Sequence, residues 1–173
     1  MKKFLILIFL TTFSFTNIVC ANNNIVYVDI DKVLSTSKTG LYILKQLQDL
    51  RIKNIKDFEK KAESLKENEK KIIKQKNIIS SEDFQLKINE LKIEVKKYNT
   101  YRDGKIKNFQ KLKADSTGKL LELINPILTK YAKDNSIAMV IQKKYIIIGA
   151  TELDITNTII KLTNKNIKDF KIK

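Results

Sequence analysis

Between Leu44 and Ile124 the apolar residues recur in alternating steps of three and four. Ile55, Phe58, Ala62, Leu65 and Ile72 set this spacing in the first half, with Glu69 occupying one slot. Phe84, Ile88, Leu91, Val95 and Tyr98 repeat it, and Phe109, Leu112 and Leu120 continue it, with Arg102, Lys105 and Ser116 in the slots between. A 3-4 alternation keeps one narrow stripe turned toward a partner helix, as in a coiled-coil seam. Most other positions are Lys, Glu, Asn or Gln, so these helices bury one edge and leave the rest in water. The pattern breaks at Ile78-Ile79-Ser80-Ser81. Ser80 followed by Asp83 reads as a capping box, its hydroxyl and carboxylate satisfying free N–H groups of a new helix. The expectation is an antiparallel helical hairpin, residues 46–119, with its tip near 77–83 and arms about 60 Å long.

Residues 1–21 read as a secretory signal peptide. Lys2 and Lys3 form its positive start, Phe4 to Phe15 its apolar stretch, and Val19-Cys20-Ala21 the approach to cleavage. Processing of Cys20 as a lipoprotein is disfavoured by the bulky residues of Asn17-Ile18-Val19, so cleavage falls near Ala21 and leaves a soluble mature chain, 22–173. Cys20 is the only cysteine and the sequence has no histidine. A disulfide framework is excluded, and so are Cys/His metal sites and Ser–His–Asp or Cys–His nucleophiles. No paired carboxylates mark a cleft. The sequence points to no catalytic, cofactor or metal residue, and the protein is not expected to be an enzyme.

Outside the arms, residues 22–45 and 120–173 are expected to form one small α+β body. Ile25-Val26-Tyr27-Val28 reads as a buried strand, and Asp29 and Asp31 as caps of the turn that follows rather than as a metal site. Gly40 marks a kink or a close approach at the root of the first arm. Gly104 costs about 1 kcal/mol against Ala in a helix and is a point of flexibility. Pro126, the only proline, is expected to kink or restart the helix where the arm rejoins the body. Ile137 to Ile141 and Tyr145 to Gly149, separated by Lys143-Lys144, read as a β-hairpin, and Asp154 or Thr156 as the cap of a last helix, Ile155 to Leu162.

A body of three short strands has a thin core for one chain, and strands apolar on both faces need covering. Ile25, Val26, Val28, Met139, Ile141, Ile146 and Ile148 are therefore expected to build the core of a symmetric oligomer. The net charge is +15 for the whole sequence and +13 without the signal peptide. From Arg51 to Lys119 there are 20 Lys or Arg against 11 Asp or Glu. Such a field attracts acidic proteins, anionic lipid surfaces or nucleic acid. Export argues against nucleic acid as the natural partner.

The signal peptide, the segment IVYVDIDKVLSTSKTG, the basic hairpin and the segment INPILTKYAKDNSIAMVIQKKYIIIGATELDIT together resemble the Skp (OmpH-like) family of periplasmic chaperones. The specific parts are Tyr27-Val28-Asp29 with Val33, Leu34 and Gly40, and the block from Pro126 through Tyr131-Ala132-Lys133 to Asp154-Ile155-Thr156. Asn135-Ser136 departs from the pattern, standing where a glycine turn is expected. The resemblance implies a jellyfish-shaped homotrimer with a β-barrel-like body. Its arms would enclose unfolded outer-membrane proteins in the periplasm and hold them, without ATP, against aggregation. Leu86, Ile93, Tyr101 and Ile106, off the seam, are the candidate client contacts under that reading. No local motif carries over the family's lipopolysaccharide site; lipopolysaccharide or an anionic membrane surface remains a partner that the charge alone admits. The other reading is an exported coiled-coil adaptor docking a cell-envelope assembly through its hairpin tip.

Overall fold

The computed structural model describes residues 24–172; the expected signal peptide and its expected cleavage point lie outside them. The element order is β1 (Asn24–Val28), α1 (Ile30–Thr36), α2 (Lys38–Gln75), α3 (Ser81–Asp134), β2 (Ile137–Gln142) and α4 (Thr156–Asn166). Among the described residues helix dominates, and the sheet is a single pair of strands. The expected mixed body is therefore more helical than its sequence implies. No helix among the described residues is long and apolar enough to cross a membrane.

The caps explain where the helices begin. Asp29 accepts the Lys32 N–H at 2.8 Å and so starts α1, the capping role assigned to it. Ser37 ends α1 and starts α2, its hydroxyl accepting the Gly40 N–H at 3.2 Å. Gly40 sits so close to the end of α1 that a Cβ there would fall 1.8 Å from the Leu34 carbonyl oxygen. At the far end, Ser80 accepts the Asp83 N–H at 3.0 Å and donates its hydroxyl to the Asp83 carboxylate at 2.7 Å. The hinge lies where it was expected, although the carboxylate takes the serine hydroxyl rather than a backbone N–H.

With 38 residues in α2 and 54 in α3, the helices span about 57 and 81 Å. Between Leu47 and Ile72, α2 buries no side chain completely, and α3 buries none before Ser116. The body core lies at the roots, where Val26, Val28, Val33, Ile43, Leu47, Leu120, Ile124, Ile155 and Ile159 pack together. Of the kink or restart expected at Pro126, the restart does not occur: α3 runs through it. Pro126 leaves the Glu122 carbonyl without its helical donor. Both residues lie on the exposed side of the helix, where such an acceptor is open to solvent.

The expected hairpin is also replaced. β2 pairs with β1, in parallel, with Ile25 opposite Met139, Val26 opposite Val140 and Tyr27 opposite Ile141. After β2, a 3-10 turn at Lys143–Tyr145 carries the chain away, and Ile146 and Ile148 stand in a loop rather than in a strand. The β-branched run is strand-prone, but among the described residues it pairs with no strand.

Ser136 joins α3 to β2 with φ at 51°, in the left-handed region. That conformation costs a residue with a Cβ about 1–2 kcal/mol, partly offset by the larger unfolded-state entropy of glycine. Ser136→Gly is expected to raise stability by roughly 0.5–1 kcal/mol, read as an increase in the urea midpoint at unchanged slope.

Candidate functional site

Two surfaces carry the chemistry of this molecule: the arms, and an uncovered face of the body. On the arms the seam is loose. Ala62, Leu65, Ile88, Leu91, Val95 and Tyr98 line an open cleft of about 570 Å³ between α2 and α3, with Glu69 at its edge. Polar ties hold the helices together around it. Asn68 donates to Glu94 at 3.1 Å, and Tyr98 donates its hydroxyl to the Phe58 carbonyl at 3.3 Å.

The four candidate client residues do not form one surface. At about 100° per residue, Leu86 and Ile93, seven apart, share the side of α3 facing away from the seam, whereas Ile106 lies beside the seam. Leu86 is 57% exposed and Ile93 is 55% exposed. Tyr101 is already engaged. Its hydroxyl donates to Asp57 at 2.7 Å, its ring meets Phe58 edge-on at 6.5 Å, and Lys61 and Lys105 lie over it at 4.9 and 5.4 Å. The Asp57 carboxylate accepting its proton holds the phenol above its ordinary value. Tyr101 is thus a strut between the arms.

The body face is built from residues that alternate on the strands. Val26 and Val28 turn inward and are buried, so they belong to the chain's own core. Ile25 and Met139, paired across the sheet, turn outward and are exposed. Beyond β2, Ile147 is 99% exposed and Ile148 91%, beside exposed Tyr145 and Leu153. Sequence reasoning put Tyr145 to Gly149 in one apolar run but singled out only Ile146 and Ile148 from it as body residues, and did not single out Leu153. Large apolar side chains left this exposed make this end of the body a candidate interaction surface.

A polar clamp fixes that loop to the body. Asp154 accepts from Lys143 at 2.8 Å, from the Thr156 N–H at 2.9 Å and from the Thr156 hydroxyl. The same hydroxyl accepts the Asp29 N–H at 2.8 Å, and the Tyr27 hydroxyl donates to the Ala150 carbonyl at 3.1 Å. Burial pushes the Asp154 carboxyl up, but the hydrogen bonds from Lys143 and Thr156 outweigh it and hold the group below its ordinary value. A depressed carboxylate contributes stability that is complete above its unfolded value, near pH 4, and is lost as the pH falls through the folded one. Thermal melts at about pH 7 and about pH 3 should therefore show a smaller acid-induced loss in Asp154→Asn than in the natural chain.

Among the described residues, no group of three His, Cys, Asp or Glu side chains could hold a metal ion. A family model described as outer membrane protein (OmpH-like) matches residues 24–162. The chain belongs to the OmpH-like family. This is the family that the two terminal blocks resemble, and the match takes in β1, both arms, β2 and most of α4. The fold of this OmpH-like chain is similar to the solved structure of a Caulobacter crescentus CB15 protein described as an OmpH-like outer membrane chaperone. The TM-score is 0.81 over 87% of this chain and 89% of that one, at 10% identity. At that identity the likeness speaks for the fold. No curated protein sequence matches the chain.

Proposed function

We propose that this protein is an exported, ATP-independent holdase that keeps unfolded outer-membrane β-barrel proteins soluble in the periplasm, acting as a homotrimer. The observation that carries the reading is a pair of long basic helices that bury little more than a loose seam, rooted in a body with an uncovered apolar face. Membership of the OmpH-like family and the sequence of residues 1–21 support the same reading. The bodies join through the free edge of the sheet and the face around Ile25, Met139, Ile147 and Ile148. Three hairpins then enclose a client, and no nucleotide site is needed, because holding requires only many weak contacts. The lysine-rich arms draw in acidic β-barrel chains by a field that salt screens.

The test is dilution of a urea-unfolded outer-membrane β-barrel protein with and without the purified mature chain, without nucleotide, with mass followed by light scattering. Suppressed aggregation at one oligomer per client supports the reading. Leu86→Ser combined with Ile93→Ser is expected to raise the half-suppressing concentration about fivefold or more, with oligomer mass unchanged. An unaltered midpoint would remove that face from the client site.

One observation favours the adaptor reading: Ile78, at the turn between the arms, is an exposed large apolar residue. A stable oligomer that suppresses no aggregation but binds one envelope partner saturably, and loses it on Ile78→Ser, would replace the holdase reading.

A further inference from the structure

After α4 the chain leaves the helix in extended conformation, with Ile167 at φ −104° and ψ 126°. Residues 167–172 then lie against the roots of both arms. This stretch is beyond the part matched by the family model. Ile167, Phe170 and Ile172 are half-buried against the body core, whereas Lys168, Asp169 and Lys171 are exposed. Phe170 and Ile172 therefore alternate with exposed Lys171 as residues of a strand do. Lys119 of α3 stands over the Phe170 ring at 4.7 Å.

The contact from α2 is directed at the tail's backbone. Gln46 donates from Nε2 to the Phe170 carbonyl at 3.2 Å and accepts the Ile172 N–H on Oε1 at 3.2 Å. In a parallel sheet one residue reaches two positions of its neighbour that stand two apart, donating to the carbonyl of the first and accepting the N–H of the second. The Gln46 carboxamide makes that same pair of bonds. It stands in for one residue of a neighbouring strand. Backbone-directed pairing, with apolar contacts from two residues that stand two apart, Phe170 and Ile172, recognises extended polypeptide without reading its sequence closely.

We propose that the arm root carries a seat for extended polypeptide with alternating apolar residues, and that residues 167–172 are its resident, displaceable occupant. The strands of β-barrel proteins have that alternation, so an unfolded client competes with the tail for the seat. This use of the seat rests on the holdase reading; the seat itself does not. Two hydrogen bonds of ordinary length and half-buried side chains hold the tail, and its tether keeps it near the seat at high effective concentration. Client segments then enter only when the tail gives way, which lowers their apparent affinity by the fraction of open seats.

The test uses the full mature chain. Phe170→Ser with Ile172→Ser empties the seat, and the probe is a fluorescent peptide with the sequence of residues 164–172. The peptide is expected to bind the emptied chain at least about tenfold more tightly than the natural one, and to lose that binding when Gln46→Ala is added. The emptied chain should also half-suppress client aggregation at a concentration about three- to tenfold lower, and the peptide should reverse the gain. Equal peptide binding to both chains, or none to a folded emptied chain, overturns the seat. Client holding that does not improve overturns the competition. If the double substitution unfolds the body, Phe170→Ser alone is read in the same way. Peptide binding to the emptied chain, with no client held by either form, would refute the holdase reading while the seat stands.

Discussion

Gly40→Ala is expected to destabilise the body by about 3 kcal/mol or more and to loosen the arm at its root. The added methyl would sit 1.8 Å from the Leu34 carbonyl oxygen and 2.8 Å from its carbon, both backbone atoms, with the Ser37 hydroxyl oxygen at 3.0 Å. No side chain can swing away to make room. Either α1 separates from α2, uncovering Val33 and Ile43, or the Ser37 cap on α2 opens, and Ser37 is completely buried. Urea unfolding followed by circular dichroism checks the size of the loss. Much of the exposed arm should keep its helicity while the body melts, giving two separated transitions. A single transition at the natural midpoint would mean that the two helices can slide apart freely.

The second large effect concerns assembly. Ile147→Asp with Ile148→Asp is expected to reduce the light-scattering mass to that of a single chain. These side chains contribute nothing to the chain's own core, so the fold should survive with an unchanged helical signal. In the proposed homotrimer each Ile buried between bodies would be worth about 1.5–3 kcal/mol, and the same contacts would recur at every copy of a closed ring. Placing carboxylates there adds the cost of burying charge without a partner. Loss of client holding together with the mass would tie the cavity to the assembly. An unchanged mass would move the contact to the free sheet edge alone.

Local chemistry was legible in the sequence, and distant pairing was not. The seam, the break at Ser80, the Asp29 cap and the tight approach at Gly40 each depend on residues within a turn or two, and all appear in the structure. The expected hairpin failed because two β-branched runs around Lys143-Lys144 look the same whether they pair with each other or elsewhere. β2 takes its partner from the opposite end of the chain. At Pro126 the restart did not follow, because the prohibition on helix interiors weakens on an exposed face. The candidate client residues were grouped by being apolar and off the seam. Their helical angles, available from numbering alone, already separate Ile106 from Leu86 and Ile93. The struts of Tyr101 needed the other helix to be seen. In the tail, the spacing of Ile167, Phe170 and Ile172 was visible, but only the position of Gln46 gives it meaning.

The parallel pairing of β1 with β2 also sets an order of events when the chain folds. Val26 must wait for Val140, and everything between them is made and delivered first. Closing so long a loop as a flexible coil would be slow and entropically costly. The hairpin removes that difficulty by zipping from its turn toward its roots, each step local, until the two strands are delivered side by side. Until the last turns of α2 and α3 meet, β1 is an unpaired apolar strand. A copy of this protein that is still folding is thus, briefly, in the same condition as the chains it is proposed to protect.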